Sequence, residues 1–238
     1  MTGDRLYFRQ LLAGRDIASD DLMARRMVNL VYLIGDRARG EAVAVDPAYA
    51  PDEVVDILEA DGMRLTGVLA THYHADHVGG DLFGRKIVGI SELLDQIEVP
   101  IHVHKDEVLW IERTTGVGRE RLVTHESDDV LKVGEIEIRL LHTPGHTPGS
   151  QCFLVDGRLV AGDTLFLQGC GRTDLPGSDP EAMYDSLVNR LAKLPDDTVV
   201  YPGHLYSPEG SARLGETKRK NPVLVPRSAE EWLALFGG

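Results

Sequence analysis

Cysteine is scarce in this chain, which has only Cys152 and Cys170 among its 238 residues. A small fold held together by disulfides needs more cysteines, so this class is excluded and a reducing compartment is favoured. The chain is also long enough to bury a sizeable hydrophobic core without covalent cross-links.

Long apolar runs and an excess of basic residues are missing as well. No stretch approaches the ~20 apolar residues that span a bilayer, and the N-terminal segment lacks the basic-then-apolar order of a secretion signal. We therefore expect a cytoplasmic protein with no membrane partner. The formal net charge of −13 argues against a nucleic-acid partner, because phosphate backbones select clustered lysine and arginine.

Strand and helix patterns alternate along the chain, which predicts layered α/β sheets. Proline at its start and glycine at its end predict a helix over residues 51–62. We expect one domain over residues 1–238 with a short C-terminal helical tail. Periodicity is weak over about residues 81–129, which we interpret as an insertion over the main scaffold.

The stretch THYHADHVGG, residues 71–80, places three histidines and an aspartate after the apolar run LTGVLA. At the end of a strand, alternate residues can point the same way, and a tight turn can bring Asp76 and His77 round to join them. Imidazole and carboxylate are ligands of zinc and similar divalent ions. A structural zinc site is the weaker interpretation, because such sites normally close with cysteines and none lies nearby.

Three more strand ends deliver ligand-capable side chains. HTPGHTPGS carries His146, AGDTLF carries Asp163 and YPGHLY carries His204. Such a convergence is what a metal site at the edge of a sheet sandwich requires.

The ordered set THYHADH, TPGHT, GDT and PGH resembles the metallo-β-lactamase fold superfamily over about residues 28–222. The resemblance implies an αββα sandwich of two mixed β-sheets flanked by helices, with the metal site at one sheet edge. It implies two divalent metal ions, with zinc as the first choice and iron or manganese as alternatives. The implied ligands are His72, His74 and His146 for the first metal, Asp76, His77 and His204 for the second, and Asp163 as the bridge.

The C-terminal motifs GDTLFLQGCGRTD, PGHLY and ETKRKNPVL resemble the glyoxalase II group (hydroxyacylglutathione hydrolases) and the related persulfide dioxygenases. The resemblance implies a small-molecule thioester or related thiol-derived substrate, with Tyr206 and Lys218 as candidate contacts for its thiol part. Arg172 is a third candidate, either holding a substrate carboxylate or pairing with Asp174. The C-terminal part is shorter than in long glyoxalase II enzymes, so the identity of the thiol stays open, as does assembly into a homo-oligomer.

The mechanism implied is thioester hydrolysis by a metal-bridged hydroxide, with Asp76 as the catalytic carboxylate that accepts a hydrogen bond from the water. The first alternative is a glutathione persulfide dioxygenase, because His72, His146 and Asp163 alone form a facial triad suited to mononuclear Fe(II). Lactone hydrolysis is a further alternative. A module that binds metal without catalysis is disfavoured because no ligand is missing.

The remaining histidines and Cys170 are assigned lesser roles. His102 and His104 alternate in IHVH, which predicts one face of a solvated or partner-facing edge strand, and His125 is expected to be exposed. His142 is either packed or an orienting partner of a ligand. Cys170 is interpreted as a small residue in a tight loop rather than a nucleophile.

Overall fold

The computed structural model describes residues 5–225 and 228–237. Its strands, in chain order, are β1 (Leu6–Leu12), β2 (Leu30–Asp36), β3 (Glu41–Val45), β4 (Arg64–Leu69), β5 (Gly80–Leu82), β6 (Arg85–Ile87), β7 (Ile101–His104), β8 (Leu122–His125), β9 (Val130–Val133), β10 (Ile136–His142), β11 (Gln151–Val155), β12 (Arg158–Gly162), β13 (Val199–Pro202) and β14 (Ala212–Arg213). Its α-helices are α1 (Leu22–Met27), α2 (Pro51–Ala60), α3 (Ala75–Val78), α4 (Ile90–Leu94), α5 (Val108–Thr115), α6 (Pro180–Tyr184), α7 (Leu214–Lys220) and α8 (Ala229–Phe236).

Two six-stranded mixed sheets form the scaffold. The first has the order β1-β2-β3-β4-β7-β8 and the second β14-β13-β12-β11-β10-β9, while β5 and β6 form a separate hairpin. In the first sheet β3, β4, β7 and β8 run parallel, and in the second β12 and β13 do so. The other neighbouring pairs are antiparallel.

The apolar side chains of a strand alternate between its two faces, which explains why the two sheets stack on each other. On β2, Leu30, Tyr32 and Ile34 join the core between the two sheets, whereas Val31 and Leu33 face the helical layer. Successive side chains of a strand point to opposite faces, so a strand that is apolar on both faces must be covered on both.

Helices cover the outer face of each sheet. Val54 and Leu58 of α2 pack with α4 and α5 on the first sheet, and Met183 of α6 packs with Trp232 of α8 on the second. The layers are therefore helix, sheet, sheet and helix, which confirms the αββα sandwich expected from the sequence.

The segment 81–129 is not an insertion over the scaffold. Its strands β7 and β8 extend the first sheet by parallel pairing, with Val68 opposite Ile101 and His104 opposite His125. The interpretation from sequence was wrong because these strands are short and pair with residues far away along the chain, which leaves little local periodicity. The part that stands apart from both sheets is the hairpin β5–β6.

Within the described ranges, none of the helices is long and apolar enough to cross a membrane.

Candidate metal centre

The ligand-bearing loops meet where strands of both sheets end. β4 leads into His72, β12 leads into Asp163, and β13 leads into His204. Because β12 and β13 are parallel neighbours, their carboxyl ends lie at the same edge of the second sheet. His146 arrives at this edge in the loop between β10 and β11.

The motif glycines allow this close approach. At Gly203 a Cβ atom would overlap Oδ1 of Asp163, and at Gly162 it would lie 2.7 Å from Cβ of Thr71. Gly162 also has a φ of +48°, a conformation that favours glycine. The glycines of GDT and PGH are therefore needed to pack the two sheet edges around the centre.

The first group of candidate ligands is His72, His74 and His146, whose donor atoms lie within 4.8 Å of one another. Nε2 of His146 lies 3.0 Å from Nδ1 of His74. Nε2 of His72 is buried and has no hydrogen-bond partner among the described residues. Three imidazole nitrogens thus converge on one point.

The second group is Asp76, His77 and His204, which are all buried. Nε2 of His77 lies 3.2 Å from Nε2 of His204. Oδ2 of Asp76 lies 3.6 Å from the first of these nitrogens and 3.5 Å from the second.

Asp163 lies between the two groups. Its Oδ2 is 3.7 Å from Nε2 of His146 in the first group and 3.3 Å from Nε2 of His204 in the second. Its Oδ1 is 3.5 Å from Nε2 of His77, is buried, and makes no hydrogen bond within the described part of the chain. This position suits a carboxylate shared by two cations.

The electrostatics of the centre favour added positive charge. Burial opposes protonation of His77, but the carboxylates of Asp76, Asp163 and Asp46 outweigh it and raise the pKa of His77 to about 10. Burial also opposes ionisation of Asp163, yet the imidazoles of His204 and His77 hold its pKa well below the usual range. Divalent cations satisfy the same carboxylates without protonating the ligands.

Two imidazoles of the first group, those of His72 and His74, are kept in the neutral form by burial. Burial, aided by the neighbouring imidazoles of His77 and His74, holds the pKa of His72 well below its usual range. Burial and then His146 lower the pKa of His74 to about 4. Neutral imidazole is the form that ligates a metal.

The outer nitrogens of four ligand histidines are fixed by the protein. Nδ1 of His72 bonds to the Thr71 hydroxyl, and Nδ1 of His77 bonds to the Asp46 carboxylate, both at 2.9 Å. Nδ1 of His146 donates to the Arg172 carbonyl at 2.8 Å. Nδ1 of His204 donates to the Met27 carbonyl at 2.7 Å. Such hydrogen bonds set the tautomer and leave Nε2 as the inward lone pair. The donor set and its supports therefore fit two divalent metal ions.

Two supporting residues were not found from the sequence. Asp46, at the end of β3, accepts the Nδ1 proton of His77 and the backbone N–H of Thr71. Glu107 accepts hydrogen bonds from the Tyr73 and Gly149 backbone N–H groups, so it ties the loops of both histidine motifs together. Burial raises the pKa of Glu107 to about 7, although these donors oppose the rise.

Replacing Asp46 with asparagine is expected to weaken metal binding by about 10–100-fold, the usual cost of removing a partner of a ligating histidine. Asp46 has a φ of +53°, and asparagine tolerates this left-handed conformation, so little backbone strain accompanies the change. The measurement is competition with a chromophoric chelator, with the exposed Asp95→Asn as the matched control. Equal affinity in both variants would show that Asp46 does not support the centre.

A cavity of about 630 Å³ opens onto the centre. Tyr206 lines it and stacks on His204 with ring centroids 4.7 Å apart. Arg172 also lines it, and its guanidinium donates twice to Asp174 at 2.8 Å, the salt bridge left open by the sequence. Cys170 lines the same wall, and burial raises the pKa of its thiol to about 12, which suits the packing role rather than a nucleophile.

Lys218 is positioned elsewhere. Its Nζ donates to the Leu194 carbonyl at 3.1 Å and pairs with Asp196 at 2.7 Å. It is not among the described residues that line the cavity. The prediction of Lys218 as a substrate contact therefore gains no support from its position, in which it ties α7 to the loop before β13.

The other histidines are more buried than expected. β7 lies between β4 and β8, so His102 and His104 are enclosed and the solvated edge predicted for them was wrong. His102 hydrogen-bonds to His125 at 2.9 Å, so His125 is mostly buried rather than exposed. His142 stacks on His104 at 3.6 Å and donates to the Pro148 carbonyl, which supports the His146 loop from behind.

The αββα sandwich and the seven histidine and aspartate side chains that converge at its edge together define one class of α/β proteins. A family model described as the metallo-beta-lactamase superfamily matches residues 24–204. The chain belongs to this superfamily, as the sequence motifs predict.

Relatives within the superfamily carry the names of different enzymes. A hydroxyacylglutathione hydrolase from Alkalilimnicola ehrlichii is 38% identical over 84% of this chain and 70% of its own length. A probable polyketide biosynthesis zinc-dependent hydrolase, BaeB, from Bacillus velezensis is 31% identical over 87% of this chain and 86% of its own length. The human mitochondrial persulfide dioxygenase ETHE1 is 29% identical over 96% of this chain and 86% of its own length.

Solved structures with different names also superpose on this chain. ETHE1 from Myxococcus xanthus superposes with a TM-score of 0.78 and 30% identity over 96% of this chain and 89% of its own. The protein TTHA1623, in a di-iron-bound form, superposes with a TM-score of 0.66 and 29% identity over 82% of this chain and 95% of its own.

Proposed function

We propose that this protein is a metal-dependent thioester hydrolase that uses two divalent metal ions. The observation that carries the proposal is the position of Asp163, which lies within 3.7 Å of a ligand nitrogen in each of two complete groups of ligands. The hydrolase names of two relatives support the reaction class. The donor set of histidine and carboxylate supports zinc, and a related structure that binds two irons keeps iron as an alternative.

His72, His74 and His146 would hold the first ion and Asp76, His77 and His204 the second. Asp163, which lies between the two groups, would serve both. When bound, the ions lower the pKa of a water molecule towards ~7 and polarise the thioester carbonyl. The chain's own groups position and deprotonate this water.

Asp76 is the proposed catalytic carboxylate. The side-chain amide of Asn29 donates to its Oδ2 at 3.1 Å, which fixes the orientation of the carboxylate. Oδ1 is then the oxygen that accepts the proton of the attacking water. A thiolate is a good leaving group, so the reaction needs no separate strong acid.

The cavity walls receive the rest of the substrate. Tyr206 is 53% exposed and lies against the ligand His204, so its ring can cover the substrate next to the reacting carbonyl. Arg172 lies beside the first group of ligands, because its carbonyl accepts a hydrogen bond from Nδ1 of His146. We propose both as substrate contacts.

A persulfide dioxygenase is the second candidate, supported by relatives of that name that align over 96% of the chain. His72, His146 and Asp163 would then hold a single Fe(II) as a facial triad. In this alternative Asp76, His77 and His204 have no metal to bind, although all three are buried and converge.

The experiment that separates the candidates follows thiol release and oxygen uptake in the same sample. We expect the protein to release thiol from thioesters at equal rates with and without oxygen, and to consume no oxygen with a low-molecular-weight persulfide. Oxygen uptake with the persulfide and no thiol release from any thioester would mean that the protein is a dioxygenase and not a thioester hydrolase.

A further inference from the structure

The wall of the cavity carries few cationic side chains that could bind the carboxylates of glutathione. Of the lysines and arginines in the described part of the chain, Arg172 alone lines the cavity. Two of its three guanidinium nitrogens, Nε and Nη2, donate to Asp174, so the charge of Arg172 is balanced by a neighbouring carboxylate. Asp81 adds a negative charge to the wall, whereas the carboxylates of Asp76 and Asp163 at the base would be balanced by the proposed metal ions.

A thiol part that carries carboxylates is poorly matched to this surface. Glutathione brings two carboxylates and one ammonium group. A carboxylate on the wall, away from the proposed metal ions, would lose water beside an arginine that Asp174 already balances, and it would approach the negative charge of Asp81.

Apolar side chains form a large part of the wall, which also carries the polar Thr114 and Gln168. The apolar side chains are Met27, Leu82, Phe83, Phe166 and Leu175, together with the ring of Tyr206. The rings of Phe166 and Tyr206 meet edge to face at 5.1 Å, and Tyr206 stacks on His204. Apolar surface therefore begins beside the ligands, at Tyr206 and Phe166, and other apolar side chains line the same cavity.

The mouth of the cavity carries the most exposed of these side chains. Phe83 is 89% exposed and lies in the two-residue turn between β5 and β6, where its φ is +54°. The turn is fixed by a hydrogen bond from the Gly84 N–H to Asp81 Oδ1 at 2.9 Å. An exposed phenylalanine that continues an apolar wall is a feature of ligand-binding grooves.

We propose that the substrate is a thioester with an apolar, uncharged acyl chain, carried on a thiol that places no carboxylate in the cavity. The acyl chain lies along Phe166, Leu175 and Phe83, with the reacting carbonyl at the ligands. This assignment rests on the proposed thioester hydrolysis, which it narrows to a substrate class.

The test is calorimetric binding of uncleavable S-alkyl thioethers of N-acetylcysteamine, from butyl to decyl, to the metal-loaded protein. Affinity is expected to rise by up to about 4-fold per methylene, which corresponds to ~0.8 kcal/mol per buried CH₂. S-alkyl glutathiones of the same chain length are expected to bind at least about 5-fold more weakly, because their carboxylates lack partners. Affinity that is independent of chain length, or that is higher for the glutathione series, would overturn the proposal.

A variant at the mouth tests the path of the chain. Phe83→Ala is expected to weaken binding of the decyl ligand by about 10-fold and of the butyl ligand by less than about 2-fold, because only the longer chain reaches the hairpin. Leu109→Ala removes a half-exposed leucine outside the cavity and serves as the matched control. Equal losses for both ligands in the Phe83 variant would contradict the placement.

Hydrolysis of the corresponding thioesters separates this proposal from the reaction itself. If the thioethers show the chain-length dependence and no thioester is cleaved, thioester hydrolysis fails and the binding of apolar chains stands. If butanoyl and decanoyl thioesters are cleaved with equal kcat/KM, hydrolysis stands and the apolar substrate class is wrong.

Discussion

Replacing Asp163 with asparagine is expected to remove the metal pair and to lower thioester hydrolysis by on the order of 10³-fold or more. Without the ions, the attacking water keeps its bulk pKa of about 15.7 instead of about 7, so hydroxide is scarce at neutral pH. Asp163 has this effect because it contacts both groups of ligands and its carboxylate is buried. Asparagine keeps the size of the side chain and removes its charge.

The measurement is metal content together with kcat for the same preparation. Asp56→Asn on the exposed face of α2 is the matched control and is expected to keep both quantities. If the Asp163 variant retains two metals and its turnover, the bridging role of Asp163 is wrong.

Removing both metal ions by chelation is expected to lower the melting temperature by about 16–32 °C. A ligand present at a thousand times its Kd stabilises the folded state by about 4 kcal/mol per site, and in a chain of this size each kcal/mol corresponds to about 2–4 °C. The physical source is the buried cluster of carboxylates and imidazoles, which the ions hold together from both sheets. Scanning calorimetry before and after dialysis against a chelator measures the shift.

The Asp163→Asn variant provides the internal control for this shift. Because it should already lack the ions, its melting temperature is expected to stay the same on chelation. A fall in the variant as large as in the unmodified protein would mean that the chelator acts on something other than this centre.

The sequence was sufficient to predict the convergence of the ligands. The side chains of His72, His146, Asp163 and His204 follow separate strands, and apolar runs followed by histidine or aspartate mark such strand ends clearly. Their partners could not be predicted. Asp46 and Glu107 look like ordinary acidic residues, and only the folded chain brings Asp46 against His77 and Glu107 against two loops.

The two wrong predictions, an insertion over about residues 81–129 and a solvated edge strand at His102 and His104, have a common physical cause. The strands Ile101–His104 and Leu122–His125 are four residues each and pair in parallel with distant segments, so local patterns could not identify them. The role of Lys218 as a substrate contact stays a prediction, since the neighbours of its charged helix are set by tertiary packing. Motifs that hold ligands are constrained by geometry at the metal and can be recognised in a sequence, whereas the walls of the cavity are not.

Metal content by elemental analysis, on protein purified without added metal, tests the central claim most directly. The account predicts about two divalent ions per chain in the unmodified protein and no more than about one in Asp76→Ala and His77→Ala, which should also lose turnover. One iron per chain, unchanged in both variants and accompanied by oxygen uptake on a persulfide, would contradict it.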